Sequence, residues 1–334
     1  MMNAAQRELF IYTRLLDGQS LRKRELADHF EVSPRAIQRD ISQLNLFFED
    51  EHLPYTIFYD AERGGYRLQS DQHELNQEEI LVMIKVLFAS RVLNQTELNQ
   101  TITGLLNLIH SDARKQIEPL IKNEQFHYQP LQHHADLLDR LWALSQYVLQ
   151  KQALVITYRR RDKILVKAHV LPEALFFSEF YFYLISYNPA EKGLRYYRVD
   201  RLLTYKPSAA PIQRDYKDRF EAGAFREYSQ FMYPGAPITI QFQFWGIVEA
   251  ALDRLPTAKV IRRYLPDGTS EAITAANRNV QPDEGGSVVI TAQVNGLRGI
   301  TMWLLSQGSN VKVLAPTQLI EAIKKEASNI LNRY

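Results

Sequence analysis

The sequence predicts a multidomain α+β protein, and three features of the chain support that prediction. Its 334 residues exceed the size that one hydrophobic core usually organises. Apolar residues recur mostly at helical spacing up to residue 150, and from residue 151 they alternate with polar residues in short, strand-like runs. Beyond residue 236, strand and helix patterns alternate along the chain, so we expect a separate mixed module there.

Residues 1–70 follow the order helix, helix, turn, helix, hairpin, which is typical of a winged helix-turn-helix domain. Ser20 can cap the second helix, and Ser33-Pro34 is an N-cap followed by proline at the start of the third. Two strands, 55–59 and 65–68, form the hairpin, or wing. The apolar positions on the three helices are Ala5, Leu9, Tyr12 and Leu16, then Leu26, Ala27 and Phe30, then Ile37, Ile41, Leu44 and Phe48.

The outer face of the third helix carries long hydrogen-bonding side chains, which suit the base edges of a major groove. The candidate DNA-binding residues are Ser33, Arg35, Gln38, Arg39, Arg63 and Tyr66. Residues 1–70 nevertheless contain nine basic and eleven acidic residues, so DNA affinity should depend on a dimer that presents two such helices. The alternative is a winged helix that makes only protein contacts.

Helical patterns continue through residues 71–150, a region expected to connect the modules and to dimerise. Asn76 caps a helix, Pro119 and Pro130 are expected to interrupt the pattern, and a last helix is predicted from about His133 to Gln150. Three histidines, His127, His133 and His134, lack carboxylate or cysteine partners at ligand spacing. We expect them to be solvated and not to bind a metal.

Residues 151–206 contain four or five short strand patterns, enough for a small antiparallel barrel. The expected strands are 154–159, a second that ends at Pro172, and an aromatic hairpin of residues 181–187 and 195–202. Beyond the linker at 207–236, which is rich in proline and glycine, the order β-α-β-β-α-β-α suggests a ferredoxin-like domain.

Residues 151–206 contain eleven basic and five acidic residues, which points to an anionic partner or, alternatively, to a solvated basic face. Arg195, Arg198 and Arg201 are spaced through aromatic residues, a pattern that suits a planar anionic ligand. Strand alternation puts Arg198 on the face opposite Arg195 and Arg201, unless the strand is distorted. Alternatively, Asp200 holds one arginine in a structural ion pair.

Four stretches resemble bacterial WYL-domain transcriptional regulators. Residues 25–44 resemble their helix-turn-helix, where Ser33, Ile37, Arg39 and Asp40 meet a Ser-x-x-Thr-Ile-x-Arg-Asp pattern and Ala36 replaces the threonine. Phe182-Tyr183-Leu184 corresponds to the Trp-Tyr-Leu signature, and residues 195–202 to Arg-x-Phe-Arg-x-Asp-Arg-Ile. Residues 308–316 look like the C-terminal WCX-type extension.

This resemblance implies an Sm-like barrel with a nucleic-acid or nucleotide effector site. The implied effector-binding residues are Tyr183, Arg195, Arg198 and Arg201, with Tyr158 as a weaker candidate. The expected domains are a winged helix-turn-helix (1–70), a helical connector and dimerisation region (71–150), the WYL domain (151–206), a linker (207–236) and the WCX-type domain (237–334).

We therefore expect a ligand-responsive transcriptional regulator that binds double-stranded operator DNA as a homodimer. Without cysteine, disulfides are excluded, and no run approaches the roughly 20 apolar residues of a membrane span, so a cytoplasmic protein is expected. The His-Glu-x-x-His, P-loop and Gly-x-Ser-x-Gly motifs are missing, so no enzymatic activity, cofactor or metal is expected. The alternatives are a nucleic-acid- or nucleotide-processing enzyme and a protein-binding adaptor.

Overall fold

The computed structural model describes residues 2–70, 75–214, 220–229, 231–273 and 285–334. The chain forms two compact units, Met1–Gln132 and His133–Tyr334. Within the described ranges the sheets are antiparallel and none is closed, so this is a mixed α and β protein. None of the helices in these ranges has the length and apolar character needed to span a bilayer.

The first unit begins with three helices and a hairpin in the predicted order. They are α1 (Ala4–Leu16), α2 (Lys23–Phe30), α3 (Pro34–Asp50), β1 (Tyr55–Asp60) and β2 (Gly65–Ser70). Ser33 caps α3 and Pro34 is its first residue, as the sequence predicts. The predicted inner face of α3 is buried in the domain core: Ile37, Ile41, Leu44 and Phe48.

The predicted apolar stripe of α1 is wrong. The helix turns Ile11 and Leu15 into the core, whereas Leu9 is 63% exposed. The sequence is apolar at four consecutive positions, 9–12, so helical spacing alone does not select the buried face. Packing against α3 makes that selection.

The start of α2 also differs from the prediction. Its N-cap is Arg22 instead of Ser20, and Arg22 makes no side-chain capping bond. Leu21 lies between the two and forms a β-bridge with Tyr66 of β2. This bridge keeps the backbone extended past Ser20, so the helix begins later.

Three more helices complete the first unit: α4 (Gln77–Ser90), α5 (Gln95–Leu106) and α6 (Ser111–Phe126). Asn76 and Glu79 form a capping box at the start of α4. Pro119, which was predicted to interrupt the helix, lies inside α6. Interior proline costs about 3 kcal/mol. We attribute its tolerance to Ile117 and Ile121, which are buried on the same helix.

The second unit opens with α7 (Leu138–Leu149), which begins later than the predicted His133 and packs against the first of two five-stranded sheets. Its strands are β3 (Leu154–Arg159), β4 (Leu165–Ser178), β5 (Tyr181–Asn188), β6 (Gly193–Arg198) and β7 (Leu202–Pro207), in the order β6-β5-β4-β3-β7. Although the sequence groups α7 with the connector, α7 belongs to the same unit as this sheet.

Two strands of this sheet end at other residues than predicted. β4 continues through Pro172, because a register shift between Pro172 and Ala174 lets its first half pair with β3 and its second half with β5. The second strand of the aromatic hairpin, predicted over residues 195–202, ends at Arg198, and a 3₁₀ turn at Val199–Arg201 leads into β7. The assumed alternation of side chains therefore stops at Arg198.

The segment predicted as a partly ordered linker contains a helix, α8 (Ala222–Tyr228). Phe225 and Met232 are buried in a cluster with Phe176 and Ile185 of the first sheet. The prolines and glycines of this segment favoured a loop in the sequence, but apolar side chains between them pack into this cluster. Burial of those side chains orders the described part of this segment.

The second sheet contains β8 (Pro237–Phe244), β9 (Lys259–Tyr264), β10 (Ser270–Ala272), β11 (Ser287–Asn295) and β12 (Val311–Ala315), in the order β10-β9-β11-β8-β12. Three helices, α9 (Val248–Arg254), α10 (Leu297–Ser306) and α11 (Thr317–Leu331), follow β8, β11 and β12. Ile240, Phe242 and Phe244 of β8 are buried, as their alternation predicts. The short strand β10 was not predicted.

Candidate nucleic-acid interface

The first turns of α3 present long polar side chains to solvent. Ser33 Oγ accepts a hydrogen bond from the Ala36 N–H at 3.3 Å, which fixes the start of the helix. Arg35, Gln38 and Arg39 are exposed. Within the described ranges, the guanidinium groups of Arg35 and Arg39 have no ion-pair or hydrogen-bond partner. Both arginines are therefore available to an external anion.

A buried ion pair fixes α3 on α1. Arg7 Nε and Nη2 donate to the two carboxylate oxygens of Asp40 at 2.8 and 3.0 Å. The hydrogen bond with Asp40 raises the pKa of Arg7, although burial opposes it. Asp40 follows Arg39 directly, so the pair also orients the face that carries Arg39. The sequence signal for this pair was a carboxylate on the inner face of the helix, between Ile37 and Ile41, where an unpaired charge is costly.

The wing contacts α3 through Tyr66. This residue is only 8% exposed, and its hydroxyl donates to Gln38 Oε1 at 2.6 Å. Lys23 Nζ of α2 donates to the same oxygen at 3.1 Å. Arg63 lies exposed in the wing turn, where Asp60 accepts hydrogen bonds from backbone N–H groups. Five of the six predicted DNA-binding residues are thus exposed, and Tyr66 is buried behind Gln38.

In the second unit, Arg198 is held by Asp200. Its Nε and Nη2 donate to the carboxylate at 3.0 and 2.8 Å, and the guanidinium lies 3.3 Å from the ring centroid of Tyr181. The side chain of Arg198 is 17% exposed and that of Asp200 is 5% exposed. Burial opposes the charge of Arg198, but the hydrogen bond and charge of Asp200 outweigh it, so the pKa of Arg198 is raised. Arg198 is thus the arginine in the structural ion pair left open by the sequence.

Arg195 lies in a cleft of about 730 Å³. Its guanidinium pairs with Glu191, and both side chains are partly exposed. Tyr158 and Tyr197 line the same cleft, with their ring centroids 5.2 Å apart. The cleft therefore joins a cation to two aromatic rings, a combination that suits a base with a phosphate.

The other three predicted effector residues, Tyr183, Arg198 and Arg201, do not line this cleft. Tyr183 pairs with Arg198 across β5 and β6, and burial raises its pKa. Arg201, in the turn after β6, is half-buried and has no ion-pair partner among the residues that the structure describes. The five predicted residues thus separate into a cleft group, Tyr158 and Arg195, and a group around the turn.

His133 is only partly solvated, whereas the sequence predicted a solvated side chain. It is half-buried, its ring lies 6.4 Å from that of Tyr181, and Asp200 and Arg198 act on it electrostatically. Burial lowers the pKa of His133 below its ordinary value, and the Asp200 carboxylate opposes that shift. In the described part of the chain, no three histidine, aspartate or glutamate side chains are arranged to hold a metal ion.

The cleft contains residues that the sequence did not single out: Arg160, His169 and Asn188. They come from separate strands and turns that only the sheet brings together. Asn188 Nδ2 lies 3.3 Å from Glu191 Oε1 and 3.4 Å from the Tyr197 hydroxyl, so it links the polar and aromatic walls. For these three residues, the only sequence signal was the basic excess of the region.

An exposed helix with unpaired arginines, preceded by a second helix and supported by a wing, is the arrangement of a winged helix-turn-helix domain. The chain matches three family models: an HTH domain over residues 7–67, a WYL domain over residues 139–207 and a WCX domain over residues 253–331. HTH, WYL and WCX domains in that order match the architecture of a WYL-domain transcriptional regulator.

Solved structures that match the chain include the proteasome accessory factor B/C (PafBC) of Arthrobacter aurescens, at 16% identity and a TM-score of 0.30. That match covers 99% of this chain, which spans about half, 48%, of the length of its counterpart. A CRISPR Cas-related protein matches at 12% identity and a TM-score of 0.35, covering 79% of this chain and 76% of the other. No curated protein matches the chain.

Proposed function

We propose that the HTH domain reads operator DNA with α3 and that the WYL domain binds a nucleic-acid or nucleotide effector that changes this binding. The observation that carries the first part is the exposed face of α3, where Arg35 and Arg39 have no partner in the described ranges. An unpaired guanidinium on an N-terminal helical turn suits guanine edges and phosphates.

The six candidate residues divide between contact and support. Arg35, Gln38 and Arg39 read base edges, while Ser33 at the helix start and Arg63 in the wing turn contact the DNA backbone. Tyr66 supports Gln38 instead of touching DNA, because it is buried and bonded to Gln38 Oε1.

The effector site is the cleft around Arg195. A phosphate there replaces Glu191 as the partner of Arg195, and a base packs against Tyr158 or Tyr197. Arg198 acts indirectly, since its pair with Asp200 holds the turn that carries Arg201. Arg201 offers a further cation in that turn, outside the cleft itself.

The finer assignments of fold and assembly belong to the same proposal. The order β6-β5-β4-β3-β7 supports an Sm-like barrel that is incompletely hydrogen-bonded, and β9-β11-β8-β12 supports a ferredoxin-like layout. A homodimer gives the HTH domains, with their low net charge, two contacts with one operator.

The DNA-binding part is tested with the purified full chain and sheared genomic DNA fragments in a gel-shift assay with excess nonspecific competitor. Recovered fragments should share a sequence motif, and an Arg35→Ala/Arg39→Ala variant should recover none. Lys122→Ala, which removes one charge from the exposed face of α6, is the control and should behave as wild type. Retention of all fragments alike would contradict operator recognition.

The effector part is tested by fluorescence anisotropy with labelled mononucleotides, cyclic dinucleotides and short single-stranded oligonucleotides. Arg195→Ala should weaken binding about tenfold, because one charge-assisted contact is lost, and the double variant Arg195→Ala/Arg198→Ala should weaken it further. Lys163→Ala, in the exposed turn before β4, is the matched charge control. Unchanged binding by the double variant contradicts this site, and an effector that leaves operator affinity unchanged contradicts regulation.

A further inference from the structure

The side-chain amide of Gln38 is held by two donors that converge on one of its two polar atoms. The Tyr66 hydroxyl lies 2.6 Å from Gln38 Oε1, and Lys23 Nζ lies 3.1 Å from it. An ammonium group has only hydrogens to offer, so the amide atom that faces Lys23 must be the oxygen. The orientation of the amide is therefore fixed by chemistry, although oxygen and nitrogen have nearly the same shape.

Both lone pairs of this oxygen are occupied by the two donors, since an amide oxygen accepts about two hydrogen bonds. Gln38 Nε2 has no hydrogen-bond partner anywhere in the described ranges. The exposed end of Gln38 thus offers N–H donors and no free acceptor.

We propose that Gln38 is a donor-only reader that selects a keto base, guanine or thymine, at one operator position. Guanine presents the N7 and O6 acceptors in the major groove, and thymine presents O4. Adenine is the usual partner of glutamine because its N7 acceptor and N6 donor match the two ends of the amide. Without a free glutamine oxygen, adenine keeps only the N7 contact and its N6 donor is left unmatched beside the amide N–H groups, which disfavours it. Cytosine presents only its N4 donor, and Gln38 has no free acceptor for that donor.

The wing makes this preference a property of the fold. Tyr66 is buried, it forms a β-bridge with Leu21, and its ring packs edge-on against Tyr59 at 5.4 Å. Its hydroxyl therefore stays in place when DNA binds. The strand that is expected to touch the DNA backbone thus also sets what the recognition helix reads.

The inference rests on the proposed reading of DNA by α3, and the experiment separates the two. Wild type and variants select from a pool of duplexes with a randomised core, and the bound fraction is sequenced. Gln38→Ala identifies the position that Gln38 reads, as the one where base preference disappears. At that position, wild type should favour guanine or thymine over adenine and cytosine at least about fivefold, the lower end for a specific base contact.

Gln38→Glu is the decisive variant, because it keeps the shape of the side chain and its hydrogen bonds from Tyr66 and Lys23 but replaces the free N–H groups by an acceptor oxygen. It should reverse the preference at the same position toward cytosine or adenine, while total affinity falls because of the added negative charge. Tyr66→Phe should raise the share of adenine there several-fold by freeing one lone pair. Tyr59→Phe, which changes the neighbouring exposed ring and leaves Gln38 untouched, is the control.

The outcomes are distinct. Adenine preference in wild type, an unchanged preference in Gln38→Glu, or no position that depends on Gln38 overturns the inference while DNA reading stands. If wild type selects no sequence, the proposed function fails and the inference fails with it. Reversal in Gln38→Glu together with the adenine gain in Tyr66→Phe establishes the donor-only reader. The double variant Gln38→Ala/Tyr66→Phe should show no base preference at that position, because the effect of Tyr66 acts through Gln38.

Discussion

The HTH domain and the WYL region use their charges in opposite ways. Residues 1–70 carry more acidic than basic side chains, yet Arg35, Arg39 and Arg63 have no ion-pair partner in the described ranges. Residues 151–206 carry a large basic excess, yet two of the three arginines in the aromatic hairpin are paired, Arg195 with Glu191 and Arg198 with Asp200.

The comparison shows that net charge and available charge differ. All five acidic residues of 151–206 have an arginine partner, and two of those arginines, Arg214 and Arg254, come from outside the region. In the HTH domain, by contrast, Asp40 is bound to Arg7 in the interior and leaves the outer arginines free. A bound anion responds mainly to unpaired cationic groups close to it, because dissolved salt screens exposed charges more than about 10 Å away. The net charge of a region is therefore a poor guide to whether that region binds an anion.

The largest effect is expected from removing the free charge of the HTH domain. Arg35→Ala/Arg39→Ala should lower operator affinity about a thousandfold, since two contacts of about 2 kcal/mol each are lost. It should also flatten the salt dependence of binding, which a titration from low to moderate salt measures. A variant with wild-type affinity would show that these unpaired arginines are not the ones DNA uses.

The paired charge of the same domain should matter for stability. Asp40→Asn should destabilise the HTH domain by about 3 kcal/mol, because it leaves Arg7 buried without its counter-ion. Hydrogen exchange of residues 2–70, followed by mass spectrometry, measures the change. Glu25→Gln, in the exposed pair with Arg22, is the control and should change stability by less than about 0.5 kcal/mol.

The two paired arginines of the WYL region should behave differently from each other. Arg198→Ala should cost about 2 kcal/mol, because it leaves the buried Asp200 unpaired. Arg195→Ala should cost less than about 0.5 kcal/mol, because its pair with Glu191 is partly exposed. Denaturant unfolding followed by tryptophan fluorescence measures this directly, since Trp142, Trp245 and Trp303 all lie in the second unit. Equal losses would contradict the division into a structural and an available arginine.

The smallest effect concerns His133. Burial holds its pKa below the ordinary histidine value of 6.5, so the unfolded chain binds the proton more readily than the folded one. Stability of the second unit should therefore be fully present above about pH 6.5 and fall as the pH drops below it. His133→Gln should reduce that slope in the same fluorescence assay, whereas replacing the exposed His134 should not. An unchanged slope would show that His133 is accessible to protons in the folded state.

Local patterns predicted most of the fold. The start of α3 follows from Ser33-Pro34, its inner face from apolar spacing, and β8 from alternation, because each depends on residues close in the chain. The errors fall where distant contacts override local preference. Pro172 lies within β4 because that strand pairs with two neighbours in succession, and Pro119 lies within a helix with buried isoleucines.

The site was predicted in part for the same reason. The outer residues of α3 share one helical face whatever surrounds them, so spacing placed Arg35, Gln38 and Arg39 together on the exposed face. The arginines of the hairpin were assigned to faces by period-two alternation, and the turn at Val199–Arg201 ends that alternation. Asn188, at the end of β5, and Glu191, in the turn that follows it, complete the cleft and carried no signal in the sequence.

The sequence by itself determined the domain order, the recognition helix and the concentration of arginines, since all are properties of composition and short-range spacing. Only the tertiary structure decided which arginines keep a free charge and which polar atom of Gln38 faces outward. Those outcomes depend on Asp40 meeting Arg7 and on Tyr66 reaching Gln38. Hydrogen bonds and ion pairs act over about 3 Å, and only folding brings residues 28 or 33 positions apart within that distance.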